Sequence, residues 1–191
     1  MAALPAGIAP LWHVTVEQYH TMIERGILGP DDRVELLEGV IVQKMSKNPS
    51  HRIATRVSRL ALERVIPSNW YVEAQEPITL QASEPEPDIA VIRGDTRMYP
   101  RRHPGIGDIG LVVEVSDSTL DRDRIMKKRI YATAGIPFYW LLDLNRRKLE
   151  VYSEPRASEY AQTAEYAEHD TIPVILDGVP AGTVRVSDLL P

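Results

Sequence analysis

The 191-residue sequence predicts an α/β domain, and two observations carry that prediction. Pro87 to Trp140 reads as strand, loop, strand, helix, strand, in the segments PDIAVIRGD, IGLVVEVSDST, DRDRIMKKRIYATAG and IPFYWLLDL. Within it, Ile109–Ser116 is apolar at almost every position, the mark of a strand covered on both faces. A hydrophobic content of 43% gives enough apolar material for one sizeable core, so residues 15–191 are taken as a single domain after a loose segment, 1–14.

The elements follow in order. Thr15-Val16-Glu17-Gln18 has the form of a capping box, so a short helix starts at Thr15 and stops near Gly26. Arg33 to Met45 predicts a β-hairpin turning at Glu38-Gly39. Asn48-Pro49-Ser50 starts an amphipathic helix over 51–65, with Ile53, Val57, Leu60, Ala61 and Val65 as its apolar seam. Trp70 to Gln75 and Ile78 to Leu80 read as a strand broken at Glu76-Pro77, and Ser83 to Pro87 as a stiff extended approach to Asp88. A helix then runs from near Asp121 to Gly135, with Met126, Ile130 and Ala134 inward. Phe138–Leu142 pairs with Leu149–Tyr152 across an Asn145-Arg146-Arg147 turn, and short strands including Thr171 to Leu176 complete the tail, ahead of a final turn at Ser187-Asp188-Leu189.

Composition removes several function classes. There is no cysteine, so disulfides and thiolate zinc sites are excluded. No apolar run approaches the roughly 20 residues of a membrane helix, and the N-terminus lacks the pattern of a signal peptide. A soluble, cytoplasmic protein is the expectation. Gly105-Ile106-Gly107-Asp108-Ile109-Gly110 matches GxGxxG but precedes a strand, so it reads as a turn. The five histidines lack metal-ligand spacing, and no nucleophile elbow, P-loop or HExxH is present.

What remains is a set of misplaced charges. Glu114 shares a strand face with Val112 and Ser116, where an ionised carboxylate is costly unless a cation or strong donors compensate it. Asp88 opens the preceding strand, and Lys127 stacks with Asp123 and Tyr131 beside the seam of the following helix. Two carboxylates suit a hard ion such as Mg²⁺, with Mn²⁺ as a substitute and the Val115 carbonyl as a further ligand. Lys127 would then act as catalytic base or charge stabiliser. A plain Glu114–Lys127 ion pair, with Asp88 capping a turn, accounts for the same residues. Glu35 points either into the site or to water, the latter being the simpler expectation, and His51 reads as a surface or capping residue. Net charge −5 argues against broad attraction to nucleic acid. Arg93, Arg101 and Arg102 in one cluster and Arg124 in another nonetheless lie near the carboxylates as a candidate phosphate-facing rim.

Taken together, Pro87-Asp88, Glu114-Val115-Ser116 with Ser118-Thr119, Asp123, Lys127-x-x-x-Tyr131, Gly135-Ile136-Pro137 and Tyr139-Trp140 with Asp143 resemble the Uma family of restriction-endonuclease-like proteins. That family belongs to the PD-(D/E)XK nuclease superfamily. Arg33-x-Glu35-Leu36-x-x-Gly39 and His51 match its N-terminal half. The resemblance implies a central mixed β-sheet flanked by helices and a Mg²⁺-dependent phosphodiester-cleaving site. The resulting expectation is an endonuclease acting on DNA, and a homodimer is the simplest arrangement for cutting both strands of a duplex. Asp88 and Glu114 would be the two acidic positions and Lys127 the lysine, since Ser116 occupies the usual lysine position. Glu35, His51, Ser116, Asp123 and Tyr131 would support them. Phe138 and Asp117 depart from the family's usual glutamate and proline. The rival expectation is a catalytically inactive nucleic-acid-binding or protein-interaction module that keeps the nuclease fold.

Overall fold

The structure is a computed structural model and describes residues 11–117 and 120–191. Residues 1–10 of the expected loose segment, and Ser118-Thr119 of the family pattern, lie outside the described residues. A central six-stranded mixed sheet has the order β3-β4-β5-β6-β7-β8. Its strands are β3 (Trp70–Glu73), β4 (Ile89–Arg93), β5 (Ile109–Ser116), β6 (Phe138–Asp143), β7 (Lys148–Arg156) and β8 (Glu159–Ala167). All neighbours are antiparallel except β5 and β6. A parallel pair requires a crossover, and the helical segment between these two strands supplies it. Two small hairpins stand apart from the sheet: β1 (Val34–Leu37) with β2 (Val40–Gln43), and β9 (Thr171–Leu176) with β10 (Val179–Arg185). No helix among the described residues is long and apolar enough to cross a membrane.

All eight residues of β5 are buried, because both faces of the sheet are covered. On one face Leu111, Val113 and Val115 pack with Ala54, Ala61 and Leu62 of α2 (Pro49–Glu63) and with Ile172 and Val174 of β9. On the other, Val112 packs with Ile130, Tyr131 and Ala132 of α4 (Lys128–Thr133) and with Tyr139, Leu141, Tyr152 and Tyr160. Glu114 and Ser116 alternate with Val113 and Val115, so they fall on the α4 face.

Several local expectations are met. Thr15 caps α1 (Val16–Glu24) in a full capping box, and Gly26 follows that helix with φ 68°. Glu38 and Gly39 have φ 49° and 80°, the two positive values a type I′ hairpin turn needs. Three others are corrected. Helix α2 buries Ala54, Thr55, Ser58, Ala61 and Leu62, while Ile53 and Leu60 of the expected seam are 43% and 42% exposed. Small residues let α2 sit close on the sheet, and the larger pair is turned outward. Ile78–Leu80 is not a strand; only Thr79 makes an isolated bridge, to Gly105. The expected single helix after β5 is α3 (Leu120–Arg122), a π-helical turn (Asp123–Lys127) and then α4.

Gly110 lies where the β9–β10 hairpin closes on the sheet. A Cβ there would stand 2.6 Å from Leu176 Cδ2 and 2.8 Å from Trp70 Cζ3. Gly110→Val is therefore expected to destabilise the fold by ~1–3 kcal/mol through overpacking. The measurement is the urea midpoint, with the slope of the transition unchanged.

Candidate active site

The three charges singled out by the sequence converge at one end of β4 and β5. Ile89 pairs with Val113, and continuing that register by one residue sets Asp88 beside Glu114. The Val115 amide donates to Asp88 Oδ2 at 2.9 Å, and His51 Nε2 lies 3.0 Å from the same oxygen. Glu114 is buried and accepts at Oε1 from Lys127 Nζ at 2.8 Å and from the Tyr131 hydroxyl at 2.6 Å. Lys127 Nζ also approaches Glu35 Oε2, at 3.8 Å. Ser116 Oγ donates to Asp123 Oδ2 at 2.9 Å, and the Tyr139 hydroxyl to the Asp123 carbonyl at 3.1 Å. Every proposed catalytic and supporting residue is thus within this assembly.

Two expectations change. Glu35 does not face water: it is 2% exposed, beside Lys127, and its Oε2 accepts from the Glu86 amide at 3.3 Å. The β1–β2 hairpin brings it there, held by Arg129 pairing with Glu38 and by the Glu84 amide donating to the Leu36 carbonyl. His51 is more than a capping residue. Its backbone amide does donate to the capping Asn48 Oδ1, but its ring anchors Asp88 from the first turn of α2.

Burial is the largest single influence on each charge, and the neighbours decide which way Lys127 and Asp88 move. Burial pushes the Glu114 carboxyl up to about 8, opposed first by the Lys127 ammonium and reinforced by Asp88 and Asp123. Burial alone would lower Lys127, but Glu114, then Glu35, Asp123 and Asp88 outweigh it and hold the ammonium above its ordinary range. For Asp88 burial is likewise outweighed, chiefly by the His51 hydrogen bond and charge, and the carboxyl is lowered. Tyr131 is raised well above an ordinary phenol, by burial and by Glu114, so it stands as a hydroxyl donor. The cluster therefore keeps Lys127 cationic and makes Glu114, of the two central carboxyls, the one more readily protonated.

The cleft above these residues encloses about 60 Å³ and is also lined by Lys44, Lys47, Asn48, Glu86 and Arg122. Lys47 Nζ is 3.8 Å from Asp88 Oδ1, and Lys44 Nζ 2.6 Å from Glu86 Oε1. Sequence reading missed both lysines, although Lys47 directly precedes the Asn48-Pro49-Ser50 helix start. The arginines expected at a phosphate rim lie elsewhere. Arg93 pairs with Asp177, Arg102 with Asp108 and Arg124 with Glu150, while Arg101 lines a separate cleft with His20 and Glu84.

The donor set fits a hard divalent cation. Asp88 and Glu114 are each held through one oxygen, and among the described residues no hydrogen bond reaches Asp88 Oδ1 or Glu114 Oε2. No group of three or more His, Cys, Asp or Glu side chains among the described residues is arranged to hold an ion unaided. An ion at two carboxylates would complete its shell with carbonyl, water and substrate oxygens, the habit of Mg²⁺.

A family model described as "Uma2: Putative restriction endonuclease" matches residues 16–184. The chain belongs to the Uma2 family. The matched range takes in Glu35, His51, Asp88, Glu114 and Lys127. A solved structure described as a putative nuclease belonging to DUF820, from Anabaena variabilis ATCC 29413, has a similar fold. Its TM-score is 0.68 at 17% identity, over 92% of this chain and 97% of that one. No curated protein matches. The structural likeness gives the chain a restriction-endonuclease-like fold, and the family match places it in a family described as restriction endonucleases.

The raised Glu114 carboxyl has a measurable consequence. Between the unfolded value of 4.5 and the folded value of about 8, the native state holds a proton that the unfolded state has released, so stability falls as pH rises. Lys127 acts in another window, contributing fully below 10.5 and losing its contribution only as pH rises above that value. In chelator, the urea midpoint of the wild type is expected to fall from about pH 5 to about pH 8, and Glu114→Gln to flatten that slope.

Proposed function

We propose that this cleft hydrolyses phosphodiester bonds in DNA with Mg²⁺, or Mn²⁺ in its place, held by Asp88, Glu114 and the Val115 carbonyl. The observation that carries the reading is the buried Lys127 ammonium, fixed between Glu114 and Glu35 and opening on the same cleft as Asp88. The bound ion supplies an acidified water and charge neutralisation at the phosphate. Asp88 is pre-positioned for its ligand role by His51 and the Val115 amide, and Glu114 by Tyr131 and Lys127. A lysine whose proton is held this firmly is a poor base. Its role is to meet the negative charge that builds on the phosphate as the nucleophile attacks, a preorganised stabilisation that needs no rearrangement. Glu35 keeps the ammonium charged and aimed. Cutting both strands of a duplex is simplest with two such clefts, which favours a homodimer.

One observation supports a second reading. The Glu114–Lys127 contact and the Tyr131 hydroxyl already satisfy Glu114 Oε1, so the cluster stands as an ion pair without metal. A nucleic-acid-binding module on the same fold would retain DNA in chelator and ignore Asp88→Ala.

Calorimetric titration with Mg²⁺ and Mn²⁺, and plasmid nicking on the same samples, separate the two. The nuclease reading expects both signals in the wild type and neither in Glu114→Gln. It also expects Lys127→Met to bind the ion yet nick roughly 10²–10³-fold more slowly, the cost of removing one preorganised donor. A wild type that takes up no metal at millimolar concentration and leaves the plasmid intact would establish the second reading.

A further inference from the structure

The chain as a whole is acidic, with net charge −5, yet residues 39–62 contain no Asp or Glu. The same stretch holds Lys44, Lys47, Arg52, Arg56 and Arg59. The fold turns this run into one surface. Lys44 and Lys47 line the catalytic cleft, and α2 begins immediately beyond them. Arg52, Arg56 and Arg59 follow at i, i+4 and i+7, so they share a face of that helix. The opposite face is the buried one, and His51 at the start of α2 reaches Asp88. The basic face therefore starts at the catalytic carboxylates and leads away from them.

The cations of this run differ among themselves in how they are compensated. Arg52 and Arg56 are exposed and form no ion pair with any described residue, whereas Arg59 pairs with Glu63 at 2.7 Å. Arg93, Arg102 and Arg124 are each matched to a carboxylate. A cation already paired gives up that partner when it meets a phosphate, so it adds less to binding than one facing water. Arg52 and Arg59 are about 10 Å apart along the helix axis at ~1.5 Å per residue. That distance spans several charges of a duplex carrying one per ~1.7 Å.

We propose that the outward face of α2, continued to the cleft by Lys44 and Lys47, is the track that holds the phosphate backbone of a DNA duplex. It sets which phosphate lies over Asp88 and Glu114. This rests on the nuclease reading above for the identity of the polyanion. Contacts of this kind position the duplex without reading its sequence. Arg52 and Arg56 are positioning residues and lie outside the catalytic cluster.

The test is fluorescence anisotropy of a short labelled DNA duplex in chelator, where nothing is cut, across about 50 to about 200 mM salt. Removing two phosphate contacts is expected to lower affinity and to reduce the slope of log K against log salt by about 1.8 in Arg52→Ala/Arg56→Ala. Arg52→Lys/Arg56→Lys should restore the slope, and Arg93→Ala/Arg102→Ala should leave it at the wild-type value. An unchanged slope in the Arg52/Arg56 alanine variant overturns the track, and if the wild type still nicks plasmid the nuclease reading stands without it. Binding of polyglutamate as tightly as duplex overturns it in favour of an acidic protein partner. A wild type that neither binds duplex nor nicks overturns both.

Discussion

The ammonium of Lys127 is the constraint around which the rest of the site is arranged. A cation buried this fully is costly, and only close carboxylates can hold it there. Glu114 alone would satisfy it in part. Glu35 completes the arrangement, and Glu35 sits on a hairpin that forms no part of the central sheet. The latches on that hairpin therefore belong to the site: Arg129 on Glu38, the Gly39 amide on the Ala82 carbonyl, and Glu84 on Leu36. Each ties the first forty residues to segments met much later in the chain. The local charge balance is thus bound up with completed tertiary packing.

The one parallel pairing in the sheet sets the other side of the arrangement. Because β6 lies beside β5 in the same direction, the chain must cross over the sheet face between them, and that crossover carries Lys127 and Tyr131 across Glu114. Four tyrosines fill the layer beneath. The Tyr139 ring lies 5.2 Å from that of Tyr131 and 5.6 Å from that of Tyr152, and Tyr160 continues the group. Their hydroxyls end on Glu114, the Asp123 carbonyl, Glu150 and the Ile136 carbonyl. The apolar bodies supply packing, and the tips of Tyr131 and Tyr139 tie down Glu114 and Asp123 at the cleft.

Much of this was legible in the residues because burial makes misplaced charge conspicuous. Glu114 inside an apolar strand, Asp88 after Pro87 and Lys127 beside a helical seam each break a local pattern, and the fold brings all three together. Glu35 was not legible, since it lies in a short strand where alternation permits either face and only the latched hairpin decides. His51 was hidden for a related reason: its backbone does serve the helix start, so nothing in the sequence required a second task for its ring. On α2 the spacing of apolar residues points to Ile53 and Leu60 as well as Ala61, whereas close helix–sheet approach keeps Ala61 and brings in the small Ala54 and Ser58 instead. The arginine clusters misled because proximity in sequence says nothing of which carboxylates fold against them.

The π-helical turn at Asp123–Lys127 carries an implication for how such a chain can vary. A π turn holds one residue more than the α-helical turn it replaces. Here that extra residue lets Asp123 and Lys127 face the sheet while Ile130 and Tyr131 of α4 stay inward. Losing one residue would restore a regular helix but swing everything before the deletion by about 100° relative to α4, parting the lysine from its carboxylates or the tyrosines from their layer. Side chains in this stretch can change and be compensated by neighbours. Its length cannot, so the spacing from Asp123 to Tyr131 is a mechanical dimension of the molecule, as fixed as the gap between two strands.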